Sequence, residues 1–226
     1  LSIALIVMLA LGFGWQRLQA PVAMTDTTLR LVQPSIPQTM KADPKARAEI
    51  LAKLIALTQK PSDKKLSAVL WGETALPYTL WPIEQLPPDA VAKLNLPALL
   101  LTGVVGAAGQ GSDLQLWNSL VAINPKGEII SGYSKHQLVP FGEFVPLRNI
   151  LPIEKITPGG IDFSRGAGPQ TMGALGVPPF SPLVCYEVIF PWMAVDRALR
   201  PDWIFNVTND GWYGDTAGPY QHLAMA

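Results

Sequence analysis

A layered α/β or α+β domain with a mixed sheet is the fold this sequence predicts, and three observations predict it. From residue 29 onward, apolar runs of strand length alternate with segments patterned for helix. Asn124-Pro-Lys-Gly127 joins two of these runs as a turn, so part of the sheet is antiparallel. The 226 residues, 49% of them hydrophobic, suffice for one domain with a sizeable core.

Residues 1–15 carry no charge and read as helix. At ~1.5 Å rise per residue they reach ~22 Å, short of the ~30 Å hydrocarbon core. Because the chain begins with Leu rather than Met, this stretch, extended to residue 18, is expected to be the end of a longer transmembrane helix. A signal peptide is the rival, but no basic segment precedes the apolar run, and Leu18-Gln19-Ala20 is a poor cleavage site. Trp15 would sit at the interface, and Arg17 alone sets no orientation. Residues 19–28 form a polar linker to a folded body spanning 29–226.

Residues 29–33 predict a first strand, ended by Pro34 and Pro37. Asp43 and Pro44 then open a helix in which Ile50, Leu51, Leu54, Ile55 and Leu57 recur at helical spacing. A short strand at 68–71 leads directly to Glu73; a proline-rich loop follows at 77–88, then a helical stretch at 90–94 and a buried-type strand at 99–106. The glycines from 103 to 111 fit no dinucleotide or phosphate-loop pattern and read as a loop. Residues 115–123 and 128–134 are the hairpin strands, with Lys135 at the end of the second. The excursion at 139–179 is too long for a connector, and such loops usually carry function. Strands at 182–185 and 203–209 flank a predicted helix at 190–199.

Composition excludes some partners. Lys plus Arg equals Asp plus Glu at 17 each, which leaves no net field to attract nucleic acid. Only 15% of residues are charged and the mean hydropathy is positive, as suits a membrane neighbour. Two histidines, one cysteine and no His-Glu-x-x-His leave a zinc site short of ligands.

Cys185 is the single cysteine, so packing or reactivity must account for it. A lone thiol in an apolar run is ordinarily a small buried hydrophobe, and a carboxylate or lysine after a strand is ordinarily surface charge. Glu73, Lys135 and Cys185, however, all follow apolar strands, and strand ends of one sheet gather such residues. Their chemistry is coherent: a carboxylate takes the thiol proton, and an ammonium stabilises thiolate and oxyanion. Together they describe acyl transfer through a thioester.

The surrounding segments are distinctive. Trp71-Gly-Glu-Thr-Ala-Leu-Pro77, the run Tyr133-Ser-Lys-His-Gln-Leu-Val-Pro-Phe-Gly-Glu-Phe-Val-Pro146, Leu183-Val-Cys-Tyr-Glu187 and Asn209-Asp-Gly-Trp-Tyr-Gly-Asp215 with Gln221-His222 resemble, in order, the nitrilase-like carbon-nitrogen hydrolase superfamily. The second and fourth segments look like its apolipoprotein N-acyltransferase branch. That resemblance covers residue 29 to the end. It implies an αββα sandwich on the periplasmic face of the bacterial inner membrane, with transmembrane helices at both ends. Cys185 would be the nucleophile, Glu73 the base and Lys135 the oxyanion-stabilising cation. Glu143 would be a supporting carboxylate, with Tyr186 and Glu187 setting the nucleophile's surroundings. The implied reaction moves an acyl chain from a phospholipid onto Cys185 and then to the α-amino group of a diacylglyceryl-cysteine at a lipoprotein N-terminus, with no cofactor.

The pattern is departed from at Gly72, where proline is common, and at Ala42, where an aromatic is common. The first is expected to alter only strand-end stiffness; the second removes a possible wall of the substrate pocket. A closing strand and helix are expected beyond residue 226, so the chain reads as a C-terminally truncated catalytic domain. Trp192 is expected in the core, Trp81 and Trp212 at lipid; residues 147–156 are either an amphipathic arm or a lid. A soluble amidase using the same three residues, or a non-catalytic lipid-binding module, are the rival readings.

Overall fold

A computed structural model describes residues 2–41, 43–81, 85–147, 150, 155, 160–173 and 176–226, with the backbone alone at Asp89. Helix α1 (Ile3–Leu18) precedes the sheet domain and has no buried residue; Leu9, Leu11, Phe13 and Trp15 all face outward. Among the described residues no helix is long and apolar enough to cross a membrane, since α1 has 16 residues.

Strand β1 (Leu29–Val32) leads to the one-turn α2 (Gln38–Lys41) and to α3 (Arg47–Thr58), entered through a 3-10 turn in which Asp43 caps Lys45 N. Then come β2 (Ala68–Trp71), the two-residue β3 (Thr79–Leu80), α4 (Pro88–Lys93), β4 (Leu99–Ala108), β5 (Gln115–Ile123) and β6 (Ile129–Ser134). These strands make one mixed sheet in the order β1-β2-β4-β5-β6, with β3 beside the far end of β4. β1, β2 and β4 run parallel, and β4-β5-β6 is antiparallel through the expected hairpin. A second sheet pairs β7 (Phe180–Val184) with β8 (Trp203–Val207) in parallel, and α5 (Gly218–Met225) follows.

Why β2 reads as an unbroken apolar run is visible in its burial. Val69 and Trp71 face α3, where they meet Ile50, Leu51 and Leu54; Ala68 and Leu70 face the second sheet and its Phe180, Val184 and Val207. Both faces are covered, so alternation with polar residues is absent. Trp71 Nε1 donates to Thr58 Oγ1 at 2.9 Å, which satisfies the indole and fixes α3 on the sheet. Truncating a side chain such as Leu101, fully buried between the sheets, costs about 2–5 kcal/mol.

Several expectations are corrected. Residues 190–199 form no α-helix: the chain makes a 3-10 turn over Cys185–Ile189 and irregular turns from Pro191 on. This segment still covers the second sheet, because Ser181 Oγ donates to Ala194 O at 2.6 Å. Trp192 lies outside the core, 64% exposed. Most of the expected 103–111 loop is strand, since β4 runs on to Ala108 opposite Gln115. Trp81 and Trp212 are exposed as expected. The arm at 147–156 lies largely outside the described residues; within it Leu147 and Ile150 are exposed.

Candidate active site

Three strand ends converge. Glu73 lies in the turn after β2, Lys135 follows β6, and Cys185 follows β7. Each approach has a local cause. The Glu73 turn presses against β4, where Gly72 O accepts from Gly103 N at 3.1 Å and Gly103 O accepts from Leu76 N at 3.2 Å. A Cβ at Gly103 would stand 2.5 Å from Thr74 N, so only glycine permits this contact. Cys185 breaks the strand abruptly: its φ is +53°, in the left-handed region that a non-glycine residue occupies at a cost.

Lys135 is 1% exposed, and its Nζ sits 2.9 Å from Glu143 Oε1 and 2.8 Å from Oε2. Asn118, on β5, bridges the carboxylates, with Nδ2 donating to Glu73 Oε1 at 2.7 Å and to Glu143 Oε1 at 3.2 Å. Glu73 Oε2 accepts from Asn209 N at 2.8 Å, and Glu143 Oε2 from Val139 N at 2.9 Å. The long excursion is pinned over this cluster, because Phe163 N bonds Glu143 O, Ser164 N bonds Leu116 O and Gly166 N bonds Lys135 O. A Cβ at Gly166 would overlap Ser134 O.

The electrostatics follow from burial and mutual charge. Burial pushes the Glu73 carboxyl above its ordinary value; Lys135 and the Asn118 amide oppose this without cancelling it. Burial alone would lower Lys135, but Glu143 and Glu73 more than offset it, so the ammonium is retained. The Cys185 thiol is pushed up to about 12, first by burial and then by the Glu73 charge, against the pull of Lys135 and a hydrogen bond with Thr208. Such a thiol is inert at neutral pH unless its proton has a receiver. Protonating Glu73 removes the charge that helps hold the thiol up, so one proton transfer relieves both groups.

Glu187 is placed behind Cys185. Its Oε1 accepts from Tyr133 Oη, His136 N and Gln137 N at 2.8–2.9 Å, and its Oε2 from Val184 N at 2.9 Å. It therefore ties the Cys185 turn to the chain around Lys135. Tyr186 packs edge-on against Phe190 and lies beside His222. At Gly72 the nearest atom to a Cβ would be Thr208 O at 3.5 Å, so there is room for a larger residue; Ala42 lies outside the described residues.

The sequence reading missed Asn118 and Lys41. Asn118 is a buried amide beside Ser119, between the apolar pairs Leu116-Trp117 and Leu120-Val121 of β5, and that polar interruption was its signal. Lys41 Nζ donates to Glu73 O at 3.2 Å and is pushed down by burial, with Glu73 opposing; on a four-residue helix it gave no signal in sequence. Among the described residues no cluster of His, Cys, Asp and Glu could hold a metal ion.

The family model for carbon-nitrogen hydrolases matches residues 28–226. Curated relatives include the apolipoprotein N-acyltransferase of Allorhizobium ampelinum, 38% identical over 96% of this chain and 43% of the relative. That of Brucella suis is 37% identical over the whole chain and 45% of the relative. The chain thus spans less than half the length of these relatives. Among solved structures, an amidase from Nesterenkonia sp. superposes with a TM-score of 0.54 at 18% identity, covering 89% of this chain and 74% of the amidase. A CN-hydrolase superfamily protein from Xanthomonas campestris does so at 0.55 and 20%, covering 89% and 70%. At such identities the superpositions establish the fold, nitrilase-like with mixed sheets. With the family match running across the whole sheet domain and through all three converging strand ends, this chain belongs to the carbon-nitrogen hydrolase family.

Proposed function

We propose that this chain is the catalytic portion of a membrane-bound N-acyltransferase that moves an acyl chain from a phospholipid to the N-terminal amine of a diacylglyceryl lipoprotein. The observation that carries it is the cluster of buried Glu73 and Lys135 with part-buried Cys185 in a chain 38% identical, along 96% of its length, to an enzyme named for N-acylating apolipoproteins.

Cys185 is the nucleophile. Its proton passes to Glu73 as sulfur attacks the ester carbonyl; Lys135 neutralises the developing oxyanion. The C–O bond then breaks, Glu73 returns the proton to the leaving alkoxide, and a lysophospholipid departs. The lipoprotein amine attacks the thioester, gives its proton to Glu73, and the C–S bond breaks to an amide and a thiolate that Glu73 reprotonates. Glu143 holds Lys135 in place, Glu187 holds the nucleophile turn, and Tyr186 packs beside it.

α1 is the end of a membrane helix, residues 19–28 the linker, and the domain works at the periplasmic face of the inner membrane. The outward apolar side chains of α1 support this, as do exposed Trp81, Leu147 and Trp212 on the domain. The test is reconstitution of the full-length protein in vesicles with a diacylglyceryl-cysteine peptide. The expected result is a peptide one acyl chain heavier, with lysophospholipid released in equal amount. Hydrolysis of small amides with no peptide acylation would favour an amidase instead, lipid or peptide binding with neither reaction would favour a binding module, and full activity in Cys185→Ser would overturn Cys185 as the nucleophile.

A further inference from the structure

Beyond the groups assigned above, the turn after β8 and helix α5 lay a chain of hydrogen bonds against Cys185. The Thr208 hydroxyl lies within hydrogen-bonding reach of Cys185 Sγ and donates to Asp210 Oδ1 at 3.0 Å. The same carboxylate oxygen faces His222 Nδ1 at 2.9 Å, and His222 Nε2 faces the carbonyl oxygen of Cys185 at 3.3 Å. This chain runs from the Thr208 hydroxyl beside the sulfur to the backbone carbonyl of Cys185. His222 is 3% exposed, so water does not complete its hydrogen bonding. Tyr186 and Tyr213 flank its ring, each with centroids 6.3 Å away.

Counting protons constrains the state of this chain. A carbonyl oxygen only accepts, so His222 Nε2 carries hydrogen. His222 Nδ1 and the Asp210 carboxyl share a hydrogen bond, so the two side chains are held as a pair. Thr208 has one proton and two acceptors. While sulfur keeps its own proton, the hydroxyl serves Asp210. When the sulfur proton leaves for Glu73, the hydroxyl can turn onto the thiolate, and His222 remains to satisfy Asp210. The other groups facing His222 are Tyr213, on the same turn as Asp210, and Tyr186, beside Cys185. Burial pushes the Tyr213 hydroxyl up, with the Cys185 and Asp210 charges adding, so it stays a neutral phenol.

We propose that Asp210 and His222 are a positioning pair that holds Cys185 in its left-handed turn and, through Thr208, stabilises its thiolate. This rests on the reading of Cys185 as the nucleophile. The structural motive is the φ of +53° at Cys185, since a residue in that region relaxes unless its neighbours fix it. A hydrogen bond to the carbonyl oxygen from a buried imidazole N–H is a restraint of that kind.

The test is the pH dependence of Cys185 alkylation by iodoacetamide in the full-length protein, read by peptide mass, for wild type, Thr208→Val, Thr208→Ser and His222→Ala. Melting temperatures are measured alongside. Thr208→Val and His222→Ala are expected to slow alkylation about tenfold across the neutral to mildly alkaline range. Thr208→Ser is expected to keep the wild-type profile. Wild-type profiles in Thr208→Val and His222→Ala would overturn the proposal, whatever their melting temperatures. Should His222→Ala not fold, the near-isosteric Thr208→Val and Thr208→Ser pair decides. Because iodoacetamide needs neither lipid nor peptide, a protein that responds this way yet never acylates a peptide would overturn the acyl-transfer reading and leave this one standing.

Discussion

At the scale of residues, the site pairs a thiol that resists ionisation with a carboxyl that resists it too. Glu73 is held above its ordinary value of 4.5, mainly by burial, so acidification removes the base earlier than it would a solvated glutamate. The acid limb of kcat/KM against pH should therefore be centred above about 4.5, which a profile in vesicles measures. The same shift has a sign for stability. A carboxyl whose folded value is raised penalises the fold where it is ionised, fully above that raised value and not at all below the unfolded one. Glu73→Gln is expected to lose about 10²–10⁴ in rate, and because its amide NH₂ must face Asn118 Nδ2 or Asn209 N, both donors, the relief of the buried charge is offset by a lost hydrogen bond. Lys135→Met should differ: it costs about 10²–10³ in rate and also leaves Glu143 without its ion-pair partner, so the melting temperature falls.

At the scale of elements, the site exists because strand ends are brought closer than side chains would ordinarily allow. Gly103→Ala would drive a methyl into the backbone of the Glu73 turn, so about 1–3 kcal/mol of stability and most of the activity should be lost together. Thermal unfolding with peptide acylation measured in parallel checks this. The hairpin, the β2 strand and the α3 helix were legible in sequence because each rests on a local rule: a Pro-Gly turn, an apolar run, a spacing of three and four. The segment after Cys185 was not. Ile189 and Phe190 look like the start of a helix, yet the chain there is held by Glu187 folding back to Val184 N and by Ser181 reaching Ala194 O, contacts that sequence spacing does not encode. Asn118 was hidden for a related reason, since its partners Glu73 and Glu143 are 45 and 25 residues away.

At the scale of the whole molecule, an apolar helix with no buried residue is joined to a sheet domain that buries Glu73 and Lys135 and half-buries Cys185. α1 leaves Leu9, Leu11 and Phe13 with no protein to cover them, which a bilayer would supply. If α1 is the end of a membrane helix, as proposed, Leu9→Arg is expected to weaken membrane insertion by no more than the ~2.5–3.5 kcal/mol that an arginine costs at a helix centre, readable in a translocation assay. The central claim is that Cys185 carries the acyl chain between donor and acceptor. Intact-protein mass spectrometry of the full-length enzyme incubated with phospholipid alone tests it most directly. The account predicts a mass increase of one acyl chain, lost on adding the acceptor peptide and absent in Cys185→Ala. An unchanged mass in a preparation that nevertheless acylates the peptide, or an acyl chain still attached in Cys185→Ala, would contradict it.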